Sequence, residues 1–121
     1  MEQLRIRLQR PIAGVDHLNA VDPEKFADLH GQWDGIAGQL DIDRINDFYV
    51  YEGEYGKDAP KWHRAADGLK AIRVVLEYYR SGRGDLTDAQ RAETVSVFER
   101  VESILDDADL HDVKFCFVGD Y

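Results

Sequence analysis

The side chains best suited to chemistry in this chain are four histidines, one cysteine and a handful of clustered acids. His17, His30, His63 and His111 never fall in pairs at helical or strand spacing, which a zinc-type site would need. His30 sits on the rim of an apolar stripe, where a partly buried, hydrogen-bonded imidazole is expected. His63 follows Trp62 at a helix start, where packing or capping is expected. Asp41 and Asp43, with Glu52 and Glu54 further on, are oxygen ligands of the kind Mg²⁺ or Ca²⁺ takes. The central glycine and closing glutamate of a calcium loop are absent, however. Asp41 is instead expected to cap a short turn over residues 42–47. No metal and no cofactor are expected.

Nucleophiles fare no better. Cys116 is the single cysteine, so no intrachain disulfide can form. Strand alternation puts it on the face opposite Val113, Phe115 and Phe117, as a small apolar side chain. His111 is its only local base, and Asp109, Asp112 and Asp120 would raise the thiol pKa, the opposite of what a reactive thiolate needs. Ser81, Ser96 and Ser103 have no base at a telling distance, and the last two fall on a solvent face. The stretch Ser81-Gly82-Arg83-Gly84 is glycine-rich, but it follows a helix and lacks the Lys-Ser/Thr ending of a phosphate loop. It is read as a helix-terminating turn. No catalytic residue is assigned, and the balance leans away from an enzyme.

The richest segment for recognition is 48–62. Phe48, Tyr49, Tyr51, Tyr55 and Trp62 are interleaved there with Glu52, Glu54 and Asp58. Tyr and Trp are enriched at interface hot spots, and acids among them suit a basic partner. Tyr49, Tyr51, Glu52, Glu54, Tyr55, Asp58 and Trp62 are therefore the candidate partner-binding residues. The acidic outer face of the last helix is expected to help steer the partner in. Two alternatives come from other residues. A ligand pocket lined by His30, Trp33, Trp62 and His63 would suit a small enzyme or binding domain. A homodimer contact through Ala71, Val74 and Tyr78 would suit a structural assembly.

These residues must be positioned by a chain of 121 residues, the length of one domain, long enough to bury a core without disulfides. Leu4, Ile6 and Leu8 alternate with Arg5, Arg7 and Gln9, the pattern of a half-buried strand with a basic outer face. Asp22-Pro23-Glu24 is a helix start. The stripe from Phe26 through Trp33 to Leu40 then predicts a helix over about 23–40. Gly31, Gly35 and Gly38 align on its far side, which suggests either a break near Gly31 or a backbone crossing closely over that line. Apolar periodicity predicts a helix over 63–80 with apolar strips on two sides. Thr87 and Gln90 form a capping box for another over 87–108. Residues 113–118 alternate as a strand. The fold expected is α+β. The strands at 3–9 and 113–118 pair, a candidate third lies at 48–52, and the helices cover one face.

Hydrophobic residues make up 44% and charged residues 32%, ordinary for a globular protein, while the net charge is −9. That surplus argues against nucleic acid and anionic membranes, which call for clustered Lys and Arg. No run approaches the roughly 20 apolar residues of a membrane helix, and cytoplasmic location is the expectation. No residue pattern marks a family. In kind the chain is similar to toxin-immunity proteins and to many small bacterial proteins, a likeness that carries no residue over. The expected function is a non-enzymatic protein-interaction domain, regulatory or immunity-like, whose partner is a basic protein or a second copy.

Overall fold

The structure, a computed structural model, describes residues 3–16, 20–51 and 61–120. Along the chain run β1 (Gln3–Leu8), α1 (Pro23–Asp28), α2 (His30–Leu40), α3 (Ile45–Phe48), β2 (Tyr49–Tyr51), α4 (Ala65–Arg80), α5 (Asp88–Leu110) and β3 (Phe115–Asp120). The strands form one sheet in the order β1-β3-β2. β1 lies antiparallel to β3, from Gln3 opposite Asp120 to Leu8 opposite Phe115. The first and last strands therefore pair as the alternation predicts. β2 joins the other edge of β3 in parallel, with Tyr49 opposite Phe117.

Leu4, Ile6 and Leu8 are buried and Arg5 and Arg7 exposed, as period two requires. β3 is the central strand and is buried on both faces. Phe115 and Phe117 enter the helix-covered core, while Cys116 and Val118 are buried on the far side. β3 begins two residues later than expected. The Val113 N–H bonds back to the Ala108 carbonyl at 2.8 Å, and Asp112 turns the chain at φ +54°. Those residues therefore close the end of α5 before extended pairing starts.

The helices converge on two phenylalanines of β3. Phe117 meets Phe26 and Trp33 edge-on at 5.3 and 5.8 Å, and Phe115 meets Phe48 at 5.2 Å. Such pairs add to plain area burial. At Gly68, α4 comes so close that a Cβ there would lie 2.5 Å from the Phe115 ring. Only glycine permits that approach.

The single helix expected over 23–40 is two. Asp22 Oδ1 accepts from the Glu24 and Lys25 N–H groups at 3.0 and 3.2 Å and Pro23 opens the first turn, so the start is as predicted. The break expected near Gly31 falls two residues before it, at Leu29, with φ −90° and ψ 0°. Among the described residues no backbone crosses the glycine line: Gly31 and Gly35 have no heavy atom within 4 Å of a built Cβ, and Gly38 meets only the Arg44 side chain, at 3.5 Å. Asp41 also departs from expectation. At φ +55° it ends α2, and the cap of α3 is Arg44, whose N–H donates to Asp47 Oδ2 at 2.7 Å.

α4 begins at Ala65 because His63 is held extended. Its N–H and carbonyl both bond Phe115, each at 2.9 Å. α5 starts at the predicted box: Gln90 N–H donates to Thr87 Oγ1 at 3.1 Å, and Thr87 N–H to Gln90 Oε1 at 2.9 Å. Between α4 and α5, Gly82 and Gly84 take φ of +86° and +90°, so residues 81–84 are the helix-ending turn expected. The guanidinium of Arg91 donates to the carbonyls of Tyr79, Gly82, Arg83 and Gly84 and binds that turn to α5.

Candidate functional site

Of the four histidines, His17 lies outside the described residues, and the other three are engaged in holding the fold. His30 Nε2 lies 3.1 Å from Asp34 Oδ2 and 3.1 Å from Asn46 Oδ1. Asp34 Oδ1 accepts the Ile45 N–H at 2.8 Å, so this cluster fastens α3 to α2. Trp33, a proposed pocket wall, is fully buried, and its Nε1 donates to the Asp43 carbonyl at 2.9 Å. The half-buried ring of His63 packs edge-on against Phe48 at 5.2 Å. Burial pushes its pKa below the ordinary 6.5, with Lys61 acting in the same direction and Asp67, Asp43 and Asp47 opposing. His111 Nδ1 contacts the Asp107 carbonyl at 2.9 Å at the end of α5. Cys116 is inaccessible to solvent. Among the described residues no three His, Cys, Asp or Glu side chains converge on one point.

The acidic outer face of α5 is partly neutralised from within. Arg80 pairs with Glu99 at 3.1 Å, and Arg73 with Glu102 and Asp106 at 3.3 and 3.4 Å. These contacts tie α4 to α5, and half-exposed pairs of this kind contribute little energy each. At the C-terminal end of α5, Asp107, Asp109 and Asp112 neighbour Leu110 in sequence, and the Arg10 guanidinium donates to the His111 carbonyl at 2.7 Å. The helix dipole is already negative at that end, so the acids sit against its preference. Leu110 is 75% exposed. Sequence reading passed over it because the helix was expected to stop at 108. At 100° per residue it falls opposite the stripe of Val101 and Leu105, which was the signal available.

The aromatic–acidic segment enters and leaves through one edge of the sheet. Tyr49–Tyr51 pair with Phe117–Gly119, and His63 pairs with Phe115 on the same side of β3. Tyr49 is half-buried, its ring lying over Gly119, where a Cβ would meet it at 2.5 Å. Trp62 is half-exposed. Glu52, Glu54, Tyr55 and Asp58 lie outside the described residues, as does the side chain of Tyr51. His63, set down from sequence as a helix start, is the anchor that returns this segment to the sheet. Its two backbone bonds to Phe115 leave no trace in residue type.

The three residues proposed as a homodimer contact separate. Ala71 is 1% exposed and belongs to this chain's own core, which corrects its place in that strip. Val74 and Tyr78 are half-buried and line an open groove of about 370 Å³ with Leu40, Arg73, Glu77, Ser81 and Arg83. A smaller cleft of about 220 Å³ lies between α1–α2 and α5, where Leu29, Leu86 and Val97 meet the Lys25–Glu93 ion pair and Thr94. A third of about 160 Å³ lies beside it around Val21 and Arg100. His30, Trp33 and His63 line none of the three. Among the described residues no helix is long and apolar enough to cross a membrane.

No protein-family model matches the chain, and no curated protein or solved structure shows significant similarity to it.

Proposed function

We propose that this chain is a non-enzymatic protein-interaction domain, regulatory or immunity-like, that docks a basic protein through the segment 49–62. The observation that supports this most is the anchoring of that segment. It leaves the sheet at β2 and returns at His63, both on the same edge of the central strand. Loops whose ends are set by a rigid scaffold are the usual carriers of binding residues.

The net charge of −9 steers a basic surface toward the chain, and Glu52, Glu54 and Asp58 give that attraction a local focus. Tyr51, Tyr55 and Trp62 then supply apolar area. Tyr49, whose ring already covers Gly119, belongs more to the scaffold. The engagement of His30, His63 and His111 in structural contacts favours binding over catalysis. The partner is sought in the cytoplasm, where a domain with one buried cysteine and no disulfide is at home.

Affinity capture from a lysate of the source organism tests the reading. The wild-type chain is expected to retain a basic protein that the Glu52→Lys, Glu54→Lys, Asp58→Lys triple variant loses. Equal retention by both chains would overturn it.

A further inference from the structure

Thr94 is the buried polar side chain among the described residues, at 6% exposed, and it lines the cleft between α1–α2 and α5. A helical threonine can turn its hydroxyl back onto the carbonyl four residues earlier. Thr94 does not, and its hydroxyl has no hydrogen-bond partner among the described residues. Nor is that oxygen one of the unpartnered atoms sealed inside the protein. It therefore opens on the cleft. An unpartnered hydroxyl on so buried a residue is a hydrogen-bonding capacity that the fold itself leaves unused.

The surroundings select what can use it. Leu29 and Val97, at 9% and 6% exposed, and the half-buried Leu86 make the walls apolar. The cleft measures about 220 Å³. That equals the liquid volume of about seven waters, room for a short apolar body with one polar head. Apolar walls with a few polar groups are the usual form of a small-molecule site. Three charged side chains border the cleft. Lys25 and Glu93 are joined at 3.0 Å and cancel. Asp28 makes no ion pair or hydrogen bond among the described residues. Gln90 is engaged in the capping box, and Gln32, a neutral amide, selects neither sign. An anion would face Asp28 and find Lys25 already held by Glu93. An ammonium group brings three donors to a lining whose spare groups, Asp28 and Thr94, both accept. The net charge of −9 draws it in.

We propose that this cleft binds a small primary amine with an apolar body, the body between Leu29, Leu86 and Val97 and the ammonium toward Thr94 and Asp28. None of its lining belongs to the segment 49–62, so the site stands or falls apart from the docking role. A ligand of this size in an open cleft implies a dissociation constant on the order of millimolar.

Amide chemical-shift titrations of the full chain test this, with 2-phenylethylamine, 2-phenylethanol and phenylacetate each taken to about 20 mM, well above that constant. The three probes carry an ammonium, a hydroxyl and a carboxylate on one body. The amine is expected to move the amides of Leu29, Leu86, Thr94 and Val97 saturably. It should bind about tenfold more tightly than the alcohol, the scale of a charged hydrogen bond, with the acid weaker still. Asp28→Asn is expected to cost the amine about threefold, the scale of an exposed ion pair, and to leave the alcohol unchanged. Thr94→Val keeps the shape, removes the hydroxyl and should cost the amine about tenfold. A thermal melt reports on the fold of each variant. Asp28 is exposed, so its variant tests the head-group preference whatever Thr94→Val does to stability. No saturable shift with the amine overturns the proposal. So does an equal or tighter fit of the alcohol or the acid, an amine preference that survives both variants, or shifts confined to other surfaces.

Discussion

Gly68 decides how closely α4 can lie on the sheet. Alanine there favours the helix by about 1 kcal/mol, but its Cβ would strike the Phe115 ring at 2.5 Å and Leu105 at 3.0 Å. Phe115 is fully buried and has nowhere to turn. The overpacking cost of about 1–3 kcal/mol therefore outweighs the gain, and urea denaturation of Gly68→Ala is expected to show a net loss of up to about 2 kcal/mol. His63 gives a pH test. Its folded pKa lies below the ordinary 6.5, so as pH falls past that value the unfolded chain takes a proton that the folded one resists. Stability should fall with pH from about 6.5 down to the folded pKa and then level off. A His63→Gln variant should lose that component of the slope in pH-dependent melts. Residue type alone marked His30 as a hydrogen-bonded imidazole, as found. It could not mark Gly68 or His63, because a close approach and a backbone bridge depend on what lies across the core.

Among the elements, the turn joining α4 to α5 rests on Arg91. One planar guanidinium serves four carbonyls there. Arg91→Ala leaves them without that donor and should cost about 2 kcal/mol, the scale of charged hydrogen bonds. Arg91→Lys should recover only part, since an ammonium lacks the fork. Thermal melts of the two variants check the order. Periodicity located α4 and α5 within two residues at each end, because one amphipathic face makes a long helix legible. The glycine line pointed to a break near Gly31, and the joint falls two residues earlier, at Leu29. The strand expected at 48–52 placed Phe48 at its start, whereas that ring closes α3 and faces Phe115. The parallel pairing of β2 was beyond reach too, since three residues carry no period.

For the molecule as a whole, the alternation at each end foretold that β1 and β3 pair, and they do. The strand order and the covering of Cys116 on the second face could not be foretold, as neither is written in a strand's own pattern. Of the candidate recognition segment, sequence supplied the side chains and the structure supplied the common edge that anchors them. The long separation of β1 and β3 has a kinetic result. Gln3 opposite Asp120 must close nearly the full chain, so stopped-flow refolding is expected on a scale of about milliseconds to seconds, not microseconds. Ile6→Ala, which empties a site opposite Phe117, should cost about 2–5 kcal/mol in equilibrium unfolding.

The central place of β3 also bears on biosynthesis. It is translated after every other element described here, yet both neighbouring strands hydrogen-bond to it and the aromatic rings of α1, α2 and α3 close upon it. While the ribosome is still making α5, the greasy side of the first strand has no ladder to join. A nascent chain halted short of Phe115 would thus expose Leu4, Ile6 and Leu8 to chaperones, and emergence of residues 115–120 would withdraw them together.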